Sequence, residues 1–218
     1  MSPRAADAAV RDALVDAAAK LVAEEGLGSL TTRRLAEMVG TSTTAVYTHF
    51  RGMAQLQRTL REEGFARFAR LLETVDVGDD PVAELVELGS AYVVNAARNP
   101  HLYRFMFIDK PAEEDIEVGL HTFERVVDAA GRAVDSGRFR PADPRMLAMQ
   151  LWVGAHGAVT LTLAGLMTFE RASELVQETG LSLFLGFGDE PAAVQASFDR
   201  VRERRRAASA QKKRPKRS

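Results

Sequence analysis

Thr43, Thr44 and Thr48 recur at a spacing that puts them on one side of a short helix, with Tyr47, His49 and Arg51 alongside. A threonine hydroxyl reaches base edges or phosphates, and its methyl group suits the methyl of thymine. Tyrosine, histidine and arginine donate to phosphate oxygens, and Arg33 and Arg34 add two more donors just upstream. Together these residue types can read duplex DNA in its major groove. The opposite side of the same stretch holds Leu35, Ala36, Val39, Val46 and Phe50, spaced to bury one face against a preceding helix.

Two short helices must position this set. Thr31 can cap the first and Gly40 ends it; Ser42 can cap the second, which runs to about Phe50. Backbone N–H groups behind both caps can also meet phosphate. Two helices joined by a glycine turn, the second one polar, form a helix-turn-helix. Periodicity alone also fits a small helical hairpin with a solvated polar face.

Proline and glycine punctuate an otherwise helical text, with no sustained alternation of the kind a strand needs. A first helix ends at Gly26, and a long one spans about Ala54 to Thr74. Further helices run from Pro81 to about Asn99, from Ile116 to Ser136, from Pro144 through Met167 and from Arg171 to Leu185, and a last one starts at Pro191. The aromatic segment HLYRFMF and the acidic stretch DKPAEED lie between the helix that begins at Pro81 and the one that begins at Ile116. The expected fold is all-α. It has a three-helix DNA-binding domain over 1–52, a larger helical domain over 53–206, and a basic tail without structure over 207–218.

The formal net charge of −1 conceals an uneven distribution. Residues 200–218 hold ten Lys or Arg against Glu203 alone, whereas residues 59–199 hold 12 basic and 23 acidic side chains. DNA repels such a middle, so the ends are expected to touch nucleic acid while the middle does something else. The tail is either a solubilising end or a source of nonspecific phosphate attraction.

No cysteine is present, which removes disulfides and thiolate chemistry. The four histidines are scattered, Glu117 and His121 being no more than a surface pair, and no phosphate loop or nucleophile elbow occurs. No enzyme, metal or cofactor is expected. Nor is a secretory signal or a bilayer-spanning run, which makes a cytoplasmic protein the expectation.

The stretch from Gly26 to Leu56 resembles the N-terminal domain of the TetR family of bacterial transcriptional regulators. The likeness rests on T-x-R-x-L-A-x-x-V-G beginning at Thr31 and on S-x-x-x-V-Y-x-H-F beginning at Ser42. It implies base and groove contacts from Thr43, Thr44 and Thr48, and phosphate contacts from Thr32, Tyr47 and His49. Met53 stands where the family usually has a lysine, and Arg51 is the candidate to replace that contact.

Further on, Trp152, His156 and Gly157 resemble the W-x-x-x-H-G pattern of the WHG type of C-terminal domain. The resemblance implies a domain that binds an effector and dimerises. Trp152 and His156 share a helix face that also carries Met149. They serve either as ordinary core or as lining of a cavity, with Tyr92, Tyr103 and Phe107 as the opposite wall. Few charges fall on these faces, so the expected ligand is small and apolar or weakly polar. Reading two half-sites requires a two-fold dimer, and the helices after Pro144, above all LSLFLGF at 181–187, carry apolar surface to spare.

The combined expectation is a homodimeric repressor on a palindromic operator, released by a small molecule. A DNA-binding regulator or architectural protein without a ligand is the alternative, and activation stays open beside repression.

Overall fold

The structure, a computed structural model, describes residues 3–108 and 113–212. Among them every regular element is a helix. In chain order these are α1 (Pro3–Glu25), α2 (Thr32–Val39), α3 (Thr43–Phe50), α4 (Met53–Glu73) and α5 (Pro81–Arg98). They continue with α6 (Pro100–Phe107), α7 (Glu113–Asp135), α8 (Pro144–Leu163), α9 (Phe169–Phe187) and α10 (Pro191–Lys212), and a short 3-10 turn over Leu27–Ser29 follows α1. Residues 109–112, the first four of the stretch DKPAEED whose last three open α7, the side chains of Glu117 and His121, and residues 213–218 lie outside the described residues.

The helix starts follow local chemistry. Prolines open α5, α6, α8 and α10, where a missing N–H costs nothing. Thr31, Ser42, Asp143 and Thr168 each accept a hydrogen bond from a first-turn backbone N–H as N-caps. The aromatic segment HLYRFMF forms a helix of its own, α6, with Pro100 in its first turn.

By compactness the chain falls into two units, Met1–Leu71 with Asn95–Thr122, and Leu72–Val94 with Phe123–Ser218. The first differs from the expected 1–52 domain because α4 and α6 share its core. Leu14, Leu21, Leu35, Phe50, Leu56 and Leu60 are fully buried there, together with Tyr103 and Phe105 of α6. The Arg61 guanidinium of α4, itself buried, donates to the Phe105 carbonyl at 3.2 Å and lies over the Phe105 ring. Such a chelated arginine ties α6 to α4 more firmly than apolar contact alone.

The second unit packs α8 along α9, and α9 against α10. Two buried carboxylates organise it. Glu84 of α5 accepts from Arg125 at 3.2 Å and from Arg132 at 2.5 Å, joining α5 to α7. Asp80 caps α5 through Val82 N and Ala83 N and accepts from Ser197 of α10 and from Arg138, whose other partner is Asp189. Despite its burial, these backbone and hydroxyl donors and the nearby arginines hold the Asp80 carboxyl below its ordinary range.

The apolar segment 181–187 is divided, with Leu181 and Leu183 half-buried. Phe184 and Phe187 are buried against Phe139, and only Leu185 among its large apolar side chains is strongly exposed. Of the two helices after Pro144 expected to carry apolar surface to spare, α8 carries the larger share. Met146, Met149, Val153 and Leu161 are exposed there by 56%, 39%, 57% and 42%. By length and composition alone α8 could cross a membrane, its most apolar 18 residues averaging a hydropathy of 1.3, but one weakly apolar helix is not a membrane span. Its Arg145 is ion-paired with Glu124 and its His156 is hydrogen-bonded, which suits a helix packed within protein.

Finally, α10 stays helical to Lys212, several residues into the segment expected to lack structure.

Candidate nucleic-acid interface and ligand site

Cap chemistry builds the first site. Thr31 Oγ1 accepts from Arg34 N at 3.2 Å and Ser42 Oγ accepts from Ala45 N at 3.1 Å, so both helices start where the sequence places their caps. Between them Gly40 takes φ 71, ψ 35, and its N–H and that of Thr41 return to carbonyls of the α2 end. Such a left-handed closure strains any residue with a Cβ and makes the turn tight. The four residues Leu35, Ala36, Val46 and Phe50 then bury as the spacing requires, whereas Val39 is half-buried.

Burying that face turns the other outward. Thr43, Thr44, Tyr47 and Thr48 are all exposed on α3, and His49 is half-buried with its ring against Phe50. The Thr48 hydroxyl donates to the Thr44 carbonyl at 3.0 Å, leaving its lone pairs and its methyl group facing out. Arg51, at φ 52, closes α3 with its N–H on the Tyr47 carbonyl and projects an exposed guanidinium. Thr32 is half-buried at the start of α2, and Arg33 is exposed in a loose pair with Glu37. Met53, the departure from the family pattern, is the first residue of α4.

Arg34 has a different part from the one its charge suggests. Both of its terminal nitrogens donate to Glu25 of α1, at 2.8 Å and 2.7 Å. This fork strengthens the docking of α2 on α1. Sequence spacing gives no warning of it, because Glu25 lies at the end of a separate helix.

The second set of residues divides between the units. Tyr103 is fully buried in the first, its ring centroid 4.8 Å from that of Phe107, which in turn meets Phe65 edge-on at 5.2 Å. Tyr92, Met149, Trp152 and His156 belong to the second. There the Tyr92 hydroxyl and His156 Nδ1 share a hydrogen bond of 2.9 Å from α5 to α8, and the Trp152 and His156 rings stack at 4.9 Å. Phe123 of α7 stands edge-on to Trp152 at 6.5 Å. Burial holds the His156 imidazole below its ordinary value, so it is neutral at physiological pH. Met149 is part of the outward face of α8.

Sequence reasoning missed two members of this set. Phe123 carries no periodic signal that points at Trp152. Thr160 does: it follows His156 by one helical turn, and its Oγ1 is buried without a hydrogen-bond partner among the described residues. A buried hydroxyl left open is costly unless something else fills the position.

Residues 14–60 match the family profile described as bacterial regulatory proteins, tetR family, and residues 85–180 match that described as tetracyclin repressor-like, C-terminal domain. The latter spans Trp152, His156 and Gly157. No curated protein matches the chain. Among solved structures, a protein with unknown function from Rhodococcus sp. RHA1 is 25% identical with a TM-score of 0.71, over 83% of this chain and 96% of that one. SmeT, the repressor of the Stenotrophomonas maltophilia multidrug efflux pump SmeDEF, is 25% identical with a TM-score of 0.63, over 79% of this chain and 88% of its own. RolR in complex with resorcinol is 17% identical with a TM-score of 0.65, over 89% of this chain and 95% of its own, and shares the fold.

Proposed function

The chain belongs to the tetR family of bacterial regulatory proteins, and on that premise we propose that it is a homodimeric repressor that binds a palindromic operator and leaves it when a small molecule binds. The observation that carries the reading is the row Thr43, Thr44, Tyr47 and Thr48, exposed on a capped α3 whose other face is locked into the core. In this reading Thr43, Thr44 and Thr48 meet base edges and groove. Thr32, Arg33, Tyr47, His49 and Arg51 hold the phosphates on either side.

One such helix spans only a few base pairs, so specificity requires two, set about 34 Å apart by a two-fold axis. The exposed apolar stripe Met146, Met149, Val153 and Leu161 on α8 supplies a self-complementary face for that dimer. The effector sits in the second unit against Trp152, with the Tyr92–His156 pair and the open Thr160 hydroxyl as its polar partners. Their chemistry suits a small, flat, uncharged molecule that bears a hydroxyl or carbonyl group. Release follows if the ligand favours a dimer whose recognition helices no longer match successive grooves, by as much as its affinities for the two states differ. That RolR was solved with resorcinol and that SmeT is a repressor support this assignment.

Selection from a random duplex library tests the DNA half. The expected result is enrichment of one inverted repeat, abolished by Thr44→Ala together with Tyr47→Ala; a pool indistinguishable from the input overturns the reading.

A further inference from the structure

Helix α2 carries its charges in the wrong order for its own stability. Arg33 stands in the first turn and Glu37 in the last, with no acidic residue in the first turn and no basic residue in the last. The helix dipole favours the reverse, and so does the usual ordering of an i, i+4 pair. The pair is also largely in solvent, the Arg33 side chain 85% and the Glu37 side chain 64% exposed. An ion pair of that exposure contributes little to the fold. A local rule broken without structural gain points to function.

The way Arg33 is held gives that function its shape. Glu37 Oε1 accepts from Arg33 Nε alone, at 3.1 Å, and the two terminal nitrogens of the guanidinium make no hydrogen bond among the described residues. Arg34 is the contrast, since both of its terminal nitrogens are committed to Glu25. An Nε contact fixes the plane of a guanidinium and leaves free the fork that grips phosphate oxygens. In a helix-turn-helix, the first helix of the pair, here α2, is the one that crosses the DNA backbone. The Glu37 carboxylate meanwhile cancels the charge of Arg33 for any phosphate not in contact with it. Residues 1–58 hold seven basic and six acidic side chains, so the reading end has little net charge of its own.

We propose that Glu37 determines specificity by aiming the Arg33 fork at one phosphate while withholding its charge from DNA at large. The proposal rests on the DNA-binding reading above. Nonspecific affinity comes from cations that displace counterions wherever they meet a duplex. A cation already paired with a carboxylate displaces few. On the operator, α3 seated by its base contacts brings a phosphate to the aimed fork, and a charge-assisted bond forms without reorienting the side chain. Specificity is the gap between the two affinities, and Glu37 widens it. Because it acts through Arg33, Glu37 is a positioning residue.

The test uses the full chain, the inverted repeat recovered by library selection, and a scrambled duplex of the same composition. Glu37→Gln, Arg33→Gln and the double variant are compared with the parent by anisotropy between about 50 and about 200 mM salt, with Tm as a check on folding. For Glu37→Gln the expected result is tighter binding to the scrambled duplex, up to about eightfold at about 100 mM salt, with a log–log slope steeper by about 0.9. Binding to the inverted repeat gains less, so the ratio of the two affinities falls several-fold. In the Arg33→Gln background, Glu37→Gln is expected to leave binding to both duplexes unchanged. An unaltered ratio in the Glu37→Gln protein overturns the proposal. So does an equal gain with and without Arg33, which reduces Glu37 to a surface acid that repels DNA. If the parent chain binds neither duplex, the DNA-binding reading falls and takes this one with it.

Discussion

His156 ties two helices with one imidazole. It bonds to Tyr92 and stacks on Trp152, and burial lowers its pKa from the ordinary value of about 6.5. The unfolded chain thus takes up this proton at a higher pH than the folded protein does. Stability from this group is complete above about 6.5 and declines as the pH falls through the lowered value. His156→Phe keeps an aromatic ring beside Trp152 but removes the Tyr92 bond. At pH 8 it is expected to cost about 0.5–1.5 kcal/mol in urea unfolding. The same variant should show a smaller loss of stability between pH 7 and pH 5 than the parent protein, and an equal loss contradicts the assignment. At Arg34 a charge that could face phosphate is committed to Glu25 instead, and that hydrogen-bonded pairing lowers the Glu25 pKa.

At the scale of elements, α3 is short and depends on its cap. A helix of two turns is marginal alone and is held by Ser42 at its start, by Val46 and Phe50 beneath, and by the left-handed Arg51 at its end. Ser42→Ala removes the acceptor for Ala45 N and is expected to destabilise the local helix by about 1 kcal/mol, weakening operator binding several-fold with little change in Tm. Ser42→Asn retains a capping oxygen and should restore affinity; equal affinity for all three proteins refutes the dependence on the cap. The starts of α2, α3, α5, α8 and α10 were legible as proline or hydroxyl signals because capping is local. What α6 packs against was not, since only the folded chain brings Arg61 to the Phe105 carbonyl.

At the scale of the whole molecule the apolar face of α8 demands a cover. Met146, Met149, Val153 and Leu161 are exposed on one side of α8, and under the proposed reading of two half-sites a second copy of the chain covers them. The expected mass in solution is twice the 23.8 kDa of one chain. Val153→Glu places a charge in that face and is expected to yield a folded monomer by light scattering, with operator affinity reduced at least about a hundredfold because a monomer reads a single half-site. A dimer that survives the substitution places the interface elsewhere.

The sequence by itself determined the helical class, the helix-turn-helix with its caps and glycine turn, the family, and the residues that face outward on α3. All of these depend on short-range spacing, where the period of a helix and the chemistry of one cap decide the outcome. Only the tertiary structure decided that α4 and α6 share a core with the DNA-binding helices, that Phe184 and Phe187 are interior, and that α8 exposes more apolar surface than the segment 181–187. It also set the Tyr92–His156 bond beside an open Thr160 hydroxyl. These outcomes depend on which of several apolar faces meet, and amphipathic patterns that are equally good along the chain cannot rank such pairings before the helices pack.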